Sequence, residues 1–193
     1  FNIGAGFGGS GTGVQLNTSI SQDNFLGTGN KVSFAINTAK TTKNYSFDFY
    51  NPYHNLDNVS RGFGFSFLQE DTTNTDTQTT FKSDRKELSF AYGIPMTEEN
   101  RINFKIKGQA YNVKSTTNSA QELIDFVGKH GDKYTNAELI AGYTIDTRNR
   151  ASFTTSGFRT NLRGQVNIPG SDIEYFKLSF KTIGYFELQD NLV

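Results

Sequence analysis

The chain of 193 residues contains no cysteine and no tryptophan, a single methionine, two histidines and three prolines. Without cysteine there can be no disulfide and no thiolate metal site. The two histidines, His54 and His130, fall in separate polar connections, so no imidazole cluster is available to hold a metal. Net charge is missing too: 19 basic residues balance 19 acidic ones. With no basic run, nothing directs the chain toward nucleic acid. No stretch approaches the roughly eighteen apolar residues of a membrane helix, which excludes a helical membrane protein. A leader peptide is also missing. Phe1 already lies in a strand-like pattern, which points to a removed presequence or to a piece of a longer protein.

What is present is phenylalanine, 18 of them, with nine tyrosines and 19 glycines, arranged in strict alternation. Phe63, Phe65 and Phe67 alternate with Gly62, Gly64 and Ser66, and Ile102, Phe104 and Ile106 alternate with Asn103, Lys105 and Lys107. Successive strand residues point to opposite faces, so each segment carries one apolar and one polar face. The pattern restarts about ten times with no helical period between. A soluble sandwich yields the same local pattern. Here, however, charged residues occupy the middle of the strands and the mean hydropathy is only −0.54. A transmembrane β-barrel has this composition, because only alternate residues meet lipid. The expected fold class is therefore all-β, an antiparallel transmembrane barrel of the outer-membrane type, with residues 1–193 as one partial barrel domain.

The expected strands follow the alternation. The first holds Phe1, Ile3, Ala5 and Phe7, and Gly9 to Thr12 makes a tight connection. The second runs from about Gly13 to Gln22, the third carries Val32, Phe34 and Ile36, and the fourth ends at Asn51-Pro52. The fifth is the Phe63–Phe67 segment. The sixth carries Leu88, Phe90, Tyr92 and Ile94, and the seventh runs from Arg101 to about Val113. Ala120 to Val127 is expected to form one or two helical turns inside the longest interruption. The last three strands centre on Leu139, Leu162 and Leu178. Connections after strands two, four and six are short and those after five and seven long, as in barrels with short periplasmic turns, although the stretch Asp146 to Gly157 departs from that rule. Tyr45, Tyr50, Tyr53 and Tyr92 lie near strand ends, where an interfacial aromatic girdle is expected.

Four segments carry a family resemblance. Gln22-Asp23-Asn24-Phe25-Leu26-Gly27-Thr28-Gly29 resembles the turn between the second and third barrel strands of the BamA family of outer-membrane β-barrel assembly factors. Phe1-Asn2-Ile3-Gly4-Ala5-Gly6-Phe7-Gly8 is similar to that family's first barrel strand, Asn51-Pro52-Tyr53 to the end of its fourth, and Val166 to Tyr175 to its ninth-to-tenth hairpin. The resemblance implies about ten strands of a sixteen-stranded barrel, without the family's POTRA domains and C-terminal strands. It also implies a bacterial outer-membrane location and a role in inserting other barrel proteins without covalent chemistry. The implied partners are outer-membrane lipid, unfolded client outer-membrane proteins and the accessory lipoproteins of the assembly complex, with no cofactor.

In that reading Phe1 to Gly8 form the edge that pairs with client strands. Glycines at 4, 6 and 8 supply no cross-strand side-chain contact, so pairing is weak and register loosely specified. Few apolar residues per strand on this side imply a low lipid-facing belt and a locally thinned bilayer. Lys105, Lys107, Arg159, Arg163, Lys177 and Lys181 fall in the polar phase and are expected to face the lumen, which makes a passive pore or surface-binding barrel the competing function, beside a related translocation or secretion transporter of the same fold family. A surface hydrolase or metal site built from Asp125, His130 and Asp132 is the weakest alternative, since one histidine and two loop carboxylates are more often simply solvated.

Overall fold

The computed structural model describes residues 2–8, 13–73 and 80–187. Ten strands follow one another in a single antiparallel sheet in chain order. They are β1 (Asn2–Gly8), β2 (Gly13–Gln22), β3 (Lys31–Thr38), β4 (Thr42–Asn51), β5 (Ser60–Asp71), β6 (Phe81–Pro95), β7 (Asn100–Ser115), β8 (Lys133–Asp146), β9 (Gly157–Asn167) and β10 (Phe176–Tyr185). The sheet does not close on itself among the described residues: β1 pairs only with β2, and β10 only with β9. The tight connection expected at Gly9 to Thr12 lies outside the described residues, as does Phe1.

Register keeps the two phases separate across the whole sheet. Phe34 sits opposite Phe47, Phe47 opposite Phe65, Phe65 opposite Leu88, and Phe90 opposite Ile106. Ile106 faces Leu139, and Leu139 faces Val166. These rows make one continuous apolar face, tied by aromatic pairs such as Phe49–Phe63, stacked with centroids 5.1 Å apart. A one-residue slip anywhere would turn a strand's phenylalanines onto the polar side, so the pattern itself holds the register.

The strands differ in length. β1, β2 and β3 have 7, 10 and 8 residues, whereas β6, β7 and β8 have 15, 16 and 14. The long central strands exceed their apolar segments because the outer face turns polar toward one end: Asp71 pairs with Lys82, and Lys82 with Lys114. Alternation of apolar and polar stops there, while the ladder continues.

Connections 39–41, 116–132 and 168–175 gather at that polar end, together with the described ends of the β5–β6 connection. Connections 23–30, 52–59, 96–99 and 147–156 lie at the other. The longest contains α1 (Gln121–His130), a longer helix than the expected turn or two, closed by Gly131 with its N–H on the Val127 carbonyl at 2.8 Å. Phe126 packs edge-on to Tyr134, which stacks on Tyr111 at 4.7 Å, so α1 lies against the polar face of β7 and β8. The ends of the two long connections are joined: Thr80 N–H donates to the Asn118 carbonyl, and Thr80 and Thr116 share a hydroxyl contact at 2.5 Å.

Turn chemistry accounts for the opposite rim. The Asn51 side chain accepts from Tyr53 N–H, and Asn55 accepts from Asp57 and Val59 N–H, before and after the Pro52 break. In 147–156, Arg148 forks onto Asp146 with two contacts of 2.7 Å. Gly157, where β9 begins, has φ of +100°, and a β-carbon there would collide with the Thr147 carbonyl. Gly157→Ala is expected to lose about 1–3 kcal/mol through that clash and backbone strain. Gly164→Ala, on open space, should change stability little. Urea unfolding followed by electrophoretic heat modifiability of the two variants measures the difference.

Candidate functional site

The solvation of the sheet is inverted. Among the described residues the buried hydrophobic side chains are only Val113 and Ile140, whereas Ser60, Ser89, Gln109, Asn136, Glu138 and Asn167 are all buried. Phe63, Phe65, Leu88, Phe90, Tyr92, Phe104, Ile106 and Leu139 are exposed in rows. In water, a face of this extent would drive aggregation. In a bilayer it is the solvated face, and the polar side becomes the interior.

On the polar side, the elements bring acids and bases into register. Lys107 of β7 lies directly opposite Glu138 of β8, with Nζ 2.6 Å from Oε2, and diagonally across from Glu87 of β6 at 3.8 Å. Glu138 is 2% exposed and Lys107 13%. Gln109 Nε2 donates to Glu87 at 2.8 Å. Tyr175, in the β9–β10 connection, donates its hydroxyl to the second oxygen of Glu138 and accepts from Gln165 Nε2 at 2.9 Å. Burial of the phenol and the neighbouring carboxylate push the Tyr175 pKa up to about 12, so it remains a donor. The same connection is stitched to the free end of β8: Ile168 N–H reaches the Ala137 carbonyl at 2.7 Å, and Asp172 N–H the Thr135 carbonyl at 3.0 Å. Connection, strand and ion pair form one rigid unit.

The six basic residues singled out by phase all fall on the polar-side rows, but they do not converge on one centre. Lys105 and Arg163 border a shallow groove of about 360 Å³ with Asn103 and Asn161. Arg159 Nε is 3.7 Å from Asp146. Lys177 and Lys181 are exposed on the edge strand β10. Glu87, Gln109, Glu138 and Tyr175 escaped sequence reasoning. The available signal was a carboxylate in the polar phase of the strands on both sides of a mid-strand lysine. Of the expected aromatic girdle, Tyr45 and Tyr92 occupy apolar-face rows and Tyr53 lies in a turn. Tyr50 is on the polar side, since it pairs with Gly62 one residue out of phase with Phe49 and Phe63.

The 23–30 turn is built locally. Phe25–Gly27 forms a 3₁₀ turn, Gly29 N–H donates to the Asn24 side chain at 2.6 Å, and Phe25 N–H donates to the Asn30 carbonyl at 2.8 Å. Asp23 pairs with Lys31 at 2.7 Å, and Gln22 closes β2. Gly27 and Gly29 have positive φ, and so does Leu26, at +52° and 80% exposed. At the other edge of β2, β1 runs in register from Asn2↔Ser19 to Gly8↔Gly13. A β-carbon at Gly4 or Gly6 would meet nothing within 4 Å. His130 packs on Phe126 at 4.9 Å and Asp125 accepts from Gln121, and neither the pair nor Asp132 forms a joint site among the described residues.

A single antiparallel sheet with an apolar outside and an ion-paired inside, strands in nearest-neighbour order, defines the wall of a transmembrane β-barrel. Residues 24–193 match the Omp85 superfamily domain, and the chain belongs to that superfamily of outer-membrane proteins. It is 27% identical over 188 residues to the outer membrane protein assembly factor BamA of Neisseria meningitidis serogroup B, covering 92% of this chain and 23% of that protein. It also superposes, with a TM-score of 0.74 and 25% identity, on the crystal structure of BamA from Haemophilus ducreyi lacking POTRA domains 1–3. That superposition covers 97% of this chain and 37% of the other. The chain thus spans well under half the length of either relative.

Removing one partner of the Lys107–Glu138 pair leaves a buried unpaired charge. Lys107→Met is expected to destabilise the folded barrel by about 3 kcal/mol, and adding Glu138→Leu to recover most of that loss. Tyr175→Phe should cost about 1.5–3 kcal/mol through its charged hydrogen bond. Denaturant midpoints of the single and double variants in one detergent test both expectations.

Proposed function

We propose that this chain supplies the first-strand side of an outer-membrane insertase barrel, and that β1 is the edge on which client strands pair. The similarity to the outer membrane protein assembly factor of Neisseria meningitidis supports the general activity. The observation that carries the finer reading is the weakness of β1. Its glycines at positions 4 and 6 contribute no cross-strand side-chain contact to β2, and a β-carbon at either would meet nothing within 4 Å. In hydrocarbon an unpaired backbone N–H or C=O costs several kcal/mol, so an open edge strongly favours capture of another strand. Extended segments join such edges through main-chain hydrogen bonds, which read no sequence and suit many clients. A glycine-rich strand adds little side-chain pairing of its own, so partners can be exchanged.

Wall height supports the same reading. At about 3.4 Å per residue, the eight residues of β3 span about 27 Å along the strand and β7 about 54 Å. Tilt by 35–45° leaves β3 below a hydrocarbon band about 25 Å tall. The bilayer beside β1 to β3 thins to match, which lowers the barrier to inserting a new strand there. Unfolded outer-membrane clients and accessory lipoproteins are the partners of this activity, and no covalent chemistry is assigned to it. The competing reading is a passive pore lined by Lys105, Arg163 and their neighbours.

Disulfide trapping tests the edge. A cysteine replacing Ile3 or Ala5 in the intact barrel protein, paired with cysteines along the terminal strand of a client, should give crosslinks in one register that rise while the client folds. Normal client folding with no such crosslink, accompanied by ion conductance, would establish the pore reading instead.

A further inference from the structure

The apolar face ends in a patch whose charge is lopsided. On this face the strands carry Lys43, Asp71, Lys82, Asp84, Lys86, Lys114 and Lys133 near the end bearing connection 116–132 and the described ends of the β5–β6 connection. The opposite rim of the same face carries Arg61 alone among the described strand residues. The acids of the patch are engaged. Asp71 holds Lys82 at 2.8 Å, Asp84 accepts from Gln69 at 2.8 Å, and Asp172 of the neighbouring connection accepts from Thr135 N–H and Oγ1. Lys43, Lys86, Lys114 and Lys133 are exposed and have no ion-pair or side-chain hydrogen-bond partner among the described residues. Among the described residues, four ammonium groups therefore stand unpaired where the apolar rows stop.

Beneath them the wall is recessed. Gly108, Ala110 and Ala137 on β7 and β8 leave a groove of about 480 Å³, walled by Phe65 and Leu88 and roofed by Pro169-Gly170-Ser171. A β-carbon at Gly108 would touch nothing within 4 Å. Lys86 sits at the top of this groove and also borders the next one, about 600 Å³, with Lys133, Asn112 and Thr135. Lys86 and Lys133 are two strands apart, about 10 Å laterally at the usual strand spacing, and one row apart in height.

We infer that this patch binds a phosphorylated glycolipid of the outer leaflet, with its phosphates on Lys86 and Lys133 and an acyl chain in the Gly108–Ala110–Ala137 groove. Lysine at the edge of an apolar band extends its stem along that band and places its charge at headgroup level. Unpaired ammonium groups are point-charge partners for phosphate. Separate lysines spread over this distance suit a headgroup carrying more than one phosphate. Asn112, whose Oδ1 is buried with no hydrogen-bond partner among the described residues, offers an acceptor to a sugar hydroxyl, which a single-phosphate glycerolipid lacks. The inference rests on the outer-membrane wall and on the long connections facing outward. It does not rest on β1 as a client edge.

The test uses the intact barrel protein, delipidated in detergent, with native mass spectrometry of bound lipid. The probes are lipopolysaccharide, the same material stripped of phosphate, and phosphatidylglycerol. The native protein should retain lipopolysaccharide at least about tenfold better than either comparator, a preference worth about 1.4 kcal/mol. Lys86→Gln combined with Lys133→Gln should abolish the preference, Gly108→Leu should weaken binding of all three, and Lys177→Gln on the polar face should change nothing. Equal retention of phosphorylated and stripped material, of lipopolysaccharide and phosphatidylglycerol, or of lipopolysaccharide by native and doubly substituted protein would overturn the assignment. Client folding in phosphatidylglycerol vesicles by the double variant separates the two readings: loss of lipid preference with normal folding affects only this site.

Discussion

The structure depends on the rule that no backbone polar group can be left unpaired in hydrocarbon. Every strand from β2 to β9 is hydrogen-bonded to a strand on either side, and strict chain order keeps each partner adjacent. Once the ladder is complete, side chains are free to divide by phase. The outward phase carries phenylalanine and isoleucine at little cost in solubility, because lipid solvates it. The inward phase carries Lys107, Glu138, Gln109 and Asn167, which in a soluble sandwich would stand in water. Among the described strands, β1 and β10 each pair on one side only.

The polar interior is not a uniform wet surface. Lys107 is held between carboxylates from the strands on either side, and Tyr175 closes over one of them from a connection outside the sheet. That arrangement stiffens the β6–β9 region, where strands are long. Among the described residues no buried ion pair of this kind braces β1, β2 and β3, whose inward phase opposes only glycine, asparagine, serine, glutamine and alanine. Rigidity on one side and weak pairing on the other would confine the strand exchange proposed for β1 to one edge.

Much of this was legible in the residues. β2 begins and ends where alternation does, at Gly13 and Gln22, and β10 begins at Phe176. β6 was legible only in part: it starts at Phe81, well before the Leu88–Ile94 segment, because Lys82, Asp84 and Lys86 stand beyond the lipid and no longer alternate with polar neighbours. α1 was expected short because its apolar positions, Leu123, Phe126 and Val127, read as one or two turns, while Gly131 places its end later. The acids around Lys107 were hidden for another reason. Their meaning lies in cross-strand register, which depends on the lengths of the connections rather than on any local pattern.

The β9–β10 connection suggests where this wall can vary. Its backbone is sewn to the Thr135 and Ala137 carbonyls and its Tyr175 to the interior, so an inserted residue would pull apart hydrogen bonds at several points. The 116–132 connection reaches the sheet mainly through α1 and its two ends, and can lengthen between those anchors without disturbing a strand. Surface novelty in this architecture is thus channelled: one loop is free to change its outline, while its neighbour keeps a fixed length.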